Sequence, residues 1–323
     1  MVSIVWKVIS SGAYSITRQS KLIADVLDAK FVGININDNG NKIENDDKYI
    51  VFGNPSGRLN MILSLLREKA KILYLVAEGR FIDTVLTTFV KNMKPVVITP
   101  SYTAKQYIEM SGINVDGVIH HMIEKMPEIY VSEKTIPFLY ISGYLLRKYP
   151  RNLDPLLEKI SNMLVLATTK NNPYAQKYRY LAIFSSDYDN IHTWAPRLTD
   201  ELKYKLYASS KFYLNLSDAE GFGLTPLEAC YYGAIPIVVD IPVFREILGD
   251  NAIYVPHNGT VFEEFFPPIM IKHFQYDPIE FYNKAIQSYI FYEDYKPLSK
   301  KCIEYTREWN NKNNYLEFKK YME

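Results

Sequence analysis

Two carboxylates, two glycines and a helix start fall within nine residues of this chain, Glu220-Gly221-Phe222-Gly223-Leu224-Thr225-Pro226-Leu227-Glu228. They follow an apolar run, Phe212–Leu216, that reads as a strand. Gly221 and Gly223 permit backbone conformations and a close ligand approach that other residues hinder. Thr225 reads as a helix N-cap and Pro226 as the first helical residue. The free amides of such a turn suit a phosphate, and a carboxylate on either side suits hydroxyls. Together these groups suit a sugar nucleotide. A plainer reading makes Thr225 and Glu228 a capping box, with Glu228 reaching back to the N-cap amide, and Glu220 an ordinary turn residue.

The elements that must position these groups follow the same order on both sides. After the motif helix comes Gly233-Ala-Ile-Pro-Ile-Val-Val-Asp240, a glycine stop and then a buried-strand run. Residues 241–255 read as a turn, a short helix and another strand. In the first half, strands at Ser3–Ile9, Phe31–Ile36, Tyr49–Phe52, Ile72–Val76 and Val96–Ile98 alternate with helices near Ser15–Leu27, Arg58–Ala70, Phe81–Val90 and Thr103–Met110. A change of unit falls within 115–133. Strands at Phe138–Ile141, Met163–Ala167, Leu181–Phe184 and Ile191–Trp194 open the second unit, and the tail from Pro278 reads as helical. This is the pattern of doubly wound α/β sheets, which bind ligands at the carboxyl ends of their strands.

The bulk numbers narrow the function classes. A chain of 323 residues accommodates two domains, and 48% hydrophobic with 23% charged residues suits a soluble globular protein. A net charge of +1 argues against extensive contact with duplex nucleic acid. Two cysteines, Cys230 and Cys302, support neither a disulfide framework nor a metal cluster. Cys230, behind the motif, reads as a packing residue. No apolar run approaches the ~20 residues that span a bilayer, and Met1-Val-Ser-Ile-Val-Trp-Lys7 reads as a strand rather than a signal peptide. The expected location is cytoplasmic, with contact at a membrane surface left open.

Residues 210–255 resemble the donor-binding region of the GT-B-fold, family 4 (retaining) glycosyltransferases. Glu220 and Glu228 match the E-x7-E signature, and the Gly-x-x-Pro-Ile-Val strand and the Asp-x-Pro-x-x-Arg-Glu-Ile turn follow in family order. The resemblance implies an α/β protein with two Rossmann-like doubly wound domains facing a cleft. These would be an acceptor domain over 1–128, a nucleotide-sugar donor domain over 129–302, and a helix over 303–323 returning to the first domain. It implies transfer of a sugar from a UDP- or GDP-sugar to the hydroxyl of an unknown glycan, lipid or protein acceptor, with retention. Neither a metal nor another cofactor is required, and nucleic acid is not an expected partner.

The resemblance also distributes roles. Glu228 would hold the donor ribose and Glu220 the hydroxyls of the transferred sugar. The backbone of Gly221, Phe222, Gly223, Leu224 and Thr225 would stabilise the leaving diphosphate, as preorganised dipoles do. Family members carry a Gly-Arg turn and a following Lys here; this chain has Tyr144 after the glycine, with Arg147 and Arg151 as the cations in reach. Gly12 matches the glycine-rich loop of the first domain, Thr168 the nucleotide lining and Arg197 the base pocket. Glu78 stands where family members have an acceptor-facing histidine. As structural residues, Gly12 is a turn glycine, Arg147, Arg151 and Arg197 are solvated loop cations, and Glu78 is a loop carboxylate. His120 and His121 read as structural, and Asp187-Tyr188-Asp189 as a polar loop rather than a metal-binding D-x-D. Two alternatives share the motif: a sugar-nucleotide epimerase of the same fold, and a sugar-nucleotide-binding scaffold without transferase activity.

Overall fold

A computed structural model describes residues 6–10, 14–32, 47–54, 56–82, 84–141, 159–160, 163–168, 182–185, 198–266 and 268–322. The first unit is built on the strands β1 (Trp6–Ser10), β2 (Lys30–Val32), β3 (Lys48–Gly53), β4 (Ala70–Leu75), β6 (Val96–Thr99) and β7 (Gly117–Val118). They form one sheet in the order β2-β1-β3-β4-β6-β7, every pair parallel. The second unit repeats the plan with β8 (Ile136–Ile141), β9 (Leu164–Thr168), β10 (Ala182–Ser185), β11 (Ser210–Asn215), β12 (Ile235–Val239) and β13 (Ile253–Val255). Their order is β10-β9-β8-β11-β12-β13, again parallel throughout. Runs such as Ile-Val-Phe and Ile-Pro-Ile-Val-Val carry no polar alternation because both faces of a parallel sheet are covered. Tyr49, Phe52, Phe138 and Phe212 are wholly buried in consequence.

A third sheet has no counterpart in the sequence reading. Strands β14 (Val261–Phe266) and β15 (Ile269–Phe274) form an antiparallel hairpin, and β15 also pairs with β5 (Gly79–Phe81) of the first unit. The helix expected over Phe81–Val90 therefore begins later, at Thr84–Met93, because the backbone groups of residues 79–81 are taken by β15. The helix expected over Arg58–Ala70 ends at Leu66, and Ala70 opens β4. Similarly, the strand expected over Phe31–Ile36 is described only as Lys30–Val32. The run Ile191–Trp194 lies outside the described residues. None of the described helices is long and apolar enough to cross a membrane.

The tail comprises helices Pro278–Ile290, Tyr292–Arg307 and Trp309–Lys312, then a 3-10 turn Tyr315–Tyr321. Its last part packs on the first unit. Trp309 Nε1 donates to the His121 carbonyl at 2.7 Å, and Asn310 exchanges two bonds with the Ile123 backbone. Tyr315 and Phe318 are fully buried beside Tyr74.

His121 sits at the centre of this seam, 4% exposed, with its Nδ1 3.0 Å from the hydroxyls of both Tyr74 and Tyr315. Those hydroxyls donate elsewhere, Tyr74 to the Ile119 carbonyl and Tyr315 to Gln19 Oε1. Each has one hydrogen, so Nδ1 carries a proton and donates to the pair. Burial is the main cause that lowers the His121 pKa from 6.5 to about 3, with His120 adding to it. The imidazole is thus neutral when folded, and only the unfolded chain takes up a proton as pH falls below 6.5. Its contribution to stability is complete above that value and is lost as pH drops toward 3. Unfolding midpoints measured from pH 7 to 4 should fall with acid in the wild type, and the His121→Gln variant should show a shallower decline.

Candidate functional site

The loop between β11 and the helix Leu224–Tyr231 carries the motif, and every residue from Phe212 to Phe222 is buried. Glu220 is 7% exposed, and its Oε1 accepts the Ser217 hydroxyl at 2.8 Å. The Ser217 amide in turn donates to Asn215 Oδ1 at 3.0 Å. This small Asx-type turn aims the Glu220 carboxylate.

The helix begins differently from the sequence reading. Its N-cap is Gly223, in the left-handed conformation at φ 92°, and no side chain caps it. Thr225 and Pro226 are the second and third helical residues, not cap and first. A capping box needs its carboxylate at the third position; Glu228 is the fifth, two residues too far along to reach back. The amides of Leu224 and Thr225 have no intrahelical acceptor, and Pro226 has no amide to leave unpaired. With the N-cap amide of Gly223, the helix therefore opens on three donors that have no intrahelical acceptor.

Glu228 has other partners. Its carboxylate lies 3.2 and 3.3 Å from Lys203 Nζ and accepts the Tyr207 hydroxyl at 3.2 Å. Both partners come from one face of the helix Asp200–Ser209, where residues four apart are neighbours. Burial is the largest single influence on the Lys203 ammonium and lowers its pKa, but Glu228, with Tyr204 and Asp200 adding to it, outweighs burial and the pKa is raised. Burial first, then Glu228, raises the Tyr207 pKa, so the phenol keeps its proton and donates. Lys203 also lies 3.8 Å from Asp200, which pairs with Arg18 of the first unit at 3.1 Å. Arg18 reaches Glu124 at 2.8 Å and Tyr204 at 3.3 Å.

The first unit closes over the motif from the other side. A Cβ on Gly221 would lie 2.8 Å from the Ala77 carbonyl, so residues 76–78 abut the motif loop. Glu78, half-buried, directly precedes β5. The Ser101 hydroxyl donates to the Gly221 carbonyl at 2.7 Å while accepting the Ala104 amide at 2.9 Å. Glu246 caps the helix Tyr102–Met110 across the seam, accepting the Tyr102 amide at 2.7 Å and the Thr103 amide at 3.2 Å. His120 Nε2 lies 2.9 Å from its Oε1. The loops after β4, β6 and β11 thus meet, and the carboxyl ends of the two sheets face one another.

Of the residues read from sequence, the structure brings together Glu78, Glu220, Gly221, Phe222, Gly223, Leu224, Thr225 and Glu228 around this junction. The Phe222 ring is buried against His121, His120 and Trp309, at centroid distances of 4.7, 6.2 and 6.2 Å, leaving its backbone for any ligand. Thr168 ends β9, with its backbone paired to Ser185. Gly12, Arg147, Arg151 and Arg197 lie outside the described residues, as does Asp187-Tyr188-Asp189. Cys230 is fully buried; its Sγ and that of Cys302 approach the Asn251 carbonyl at 3.6 and 3.2 Å. The sequence reading missed Ser101, Lys203, Tyr207, Ser217 and Glu246. The i, i+4 spacing of Lys203 and Tyr207 was a usable signal; Ser101 and Glu246 act only through tertiary contact.

Comparison with known proteins agrees with the fold. Residues 145–268, under half of the chain, match the family described as Glycosyl transferases group 1. A viral protein named glycosyltransferase 41, from Sulfolobus islandicus filamentous virus, is 32% identical over 158 residues, 47% of this chain and 42% of that protein. The O-antigen chain mannosyltransferase RfbU of Salmonella typhimurium is 30% identical over 167 residues, 49% of this chain and 46% of the relative. The matches thus span less than half the length of either relative. Among solved structures, Anabaena HepE in complex with UDP and glucose superposes with a TM-score of 0.58 at 9% identity, covering 98% of both chains. TarM gives 0.57 at 14% identity, covering 85% of this chain and 54% of that one. The chain has the GT-B fold, two Rossmann-like α/β units.

Replacing Gly223 tests the helix start. A side chain there would sit in the left-handed region, at a cost of ~1–2 kcal/mol, and its Cβ would lie 2.7 Å from Phe244 Cε1. Gly223→Ala should lower the thermal unfolding midpoint, whereas Gly57→Ala, whose Cβ meets nothing within 4 Å, should not.

Proposed function

We propose that this chain is a retaining glycosyltransferase that moves a sugar from a UDP- or GDP-sugar to an acceptor hydroxyl without a metal. The observation that carries the reading is the start of the helix Leu224–Tyr231. The amides of a left-handed glycine and the two residues after it have no intrahelical acceptor, with a buried carboxylate before them and a second one turn into the helix. A diphosphate fits the amides and the positive end of the helix dipole. Glu228 would take ribose hydroxyls, and Glu220 the hydroxyls of the sugar being transferred.

Support also comes from the comparisons. The matched family consists of glycosyl transferases, the matched relatives carry glycosyltransferase and mannosyltransferase names, and HepE holds UDP and glucose. In this reading the leaving diphosphate is stabilised by the amides of residues 223–225 together with Arg147 and Arg151. Fixed dipoles and cations aimed at developing charge suffice for that task, which is why no metal is invoked. Glu78, which follows the Ala77 that abuts Gly221, would face the acceptor hydroxyl. The acceptor itself is a glycan, lipid or protein hydroxyl that the first unit would select.

Calorimetric titration with UDP, GDP and ADP tests the donor site. One nucleotide should bind, and Glu228→Ala should weaken it by roughly 10–100-fold, the size of a hydrogen bond to a charged group. Absence of binding by all three would overturn the reading, as would full affinity in the variant.

A further inference from the structure

The loop that carries Glu220 is tied to β15 and the residues just after it by three bonds. The Phe274 amide donates to the Asp218 carbonyl at 3.0 Å. The Tyr276 hydroxyl donates to the Leu216 carbonyl at 2.9 Å. His273 Nδ1 lies 2.8 Å from Asp218 Oδ1, with the two residues 3% and 6% exposed. The last is the one side-chain pair of the three. An ionised carboxylate can only accept, so Nδ1 bears the hydrogen.

The rest of the ring is fixed as well. It stacks on Phe262 at 4.7 Å with 9° between the planes. Its Nε2 is buried with no hydrogen-bond partner. Glu264 Oε2, 3.4 Å away, is at ion-pair distance but outside hydrogen-bond alignment. Nδ1 is thus the ring atom that bonds the loop. Asp218 adjoins Ser217, whose hydroxyl holds Glu220. A restraint on Asp218 is thus passed through a single peptide unit to the candidate sugar-binding carboxylate.

We propose that His273 is a positioning residue: its Nδ1–H bond to Asp218 holds the loop 216–221 so that Glu220 is presented to the transferred sugar. What Glu220 does there rests on the glycosyl-transfer reading above; the restraint on the loop does not. Three substitutions separate the atoms. Asn places an amide donor near the position of Nδ1, Gln reaches toward that of Nε2, and Phe keeps the stacked ring without a donor.

Two measurements read the result. Amide hydrogen exchange across 216–222 in the free protein should quicken on the order of 10-fold in His273→Phe and His273→Gln, and stay near wild type in His273→Asn. With the nucleotide sugar matching the nucleotide that binds, turnover should fall about 10–100-fold in the Phe and Gln variants, and Asn should restore most of it. Affinity for the nucleoside diphosphate, held by Glu228 and the helix amides, should not change. Wild-type exchange in His273→Phe, failure of Asn to rescue, or parallel loss of nucleotide affinity would each overturn the proposal. If the wild type bound no nucleotide, the functional reading would fail, and the exchange measurement would still decide whether His273 holds the loop.

Discussion

Backbone pairing between Ile269–Phe274 and Gly79–Phe81 crosses from one α/β unit to the other, and the candidate site is hung from it. Ile271 pairs with Gly79, next to Glu78, and three residues further on the Phe274 amide bonds the loop of Glu220. At a rise of about 3.4 Å per residue, one strand sets those two anchor points roughly 10 Å apart. Strand geometry also decides which side chains face the loop. A slip of one residue would turn His273 to the opposite face and exchange its place with a neighbour. The pairing in turn demands a glycine, since a Cβ on Gly79 would lie 1.9 Å from the Met270 carbonyl oxygen. A single close backbone approach therefore fixes the spacing of two carboxylates that lie 142 residues apart in the chain.

The two motif carboxylates have the same charge and different surroundings. Glu220 is buried, and its Oε1 is steered by the Ser217 hydroxyl. Glu228 is held by an ammonium and a phenol on a neighbouring helix. Removing a charge from water is costly unless it stays paired, and Lys203 keeps Glu228 paired whether or not a ligand hydroxyl is present. Binding there would exchange hydrogen-bond partners around an existing ion pair instead of desolvating a bare carboxylate. The same lysine continues an alternating line of charge, Glu228–Lys203–Asp200–Arg18–Glu124, that runs from the motif helix into the first unit.

Much of the fold was legible because parallel sheets write plain signals: short apolar runs, glycine stops and helices in strict alternation. The motif stood out because its glycines and carboxylates have few other reasons to occur together. The errors have specific physical causes. Thr225-Pro226 is a good local helix start, but Gly223, left-handed and two residues earlier, let the helix begin sooner. That shift alone removed Glu228 from capping. The hairpin was missed because Val-Phe-Glu-Glu-Phe-Phe lacks strand alternation, and its β5 partner lies about 190 residues away in sequence. Strand propensity is a tertiary property, and no window around Gly79 contains β15. His273 had no local signal for the same reason.

The motif loop is clamped from two directions, and this links its geometry to the relation between the units. The second unit holds it through Phe274, Tyr276 and His273; the first holds it through the Ser101 bond to Gly221 and the contact with Ala77. Glu246 adds bonds across the seam from the second unit to the amides of Tyr102 and Thr103. Separating the units at this point requires breaking the bonds from Ser101 and Glu246, at a net ~0.5–1.5 kcal/mol for a neutral bond and more for a charged one. The total is a few kcal/mol, the scale on which a ligand with unequal affinity for two arrangements shifts a population. A ligand that touches both Glu220 and residues 76–78 would bind only the arrangement in which those bonds are made. The contacts that shape the loop are therefore the same contacts that would report its occupancy to the first unit.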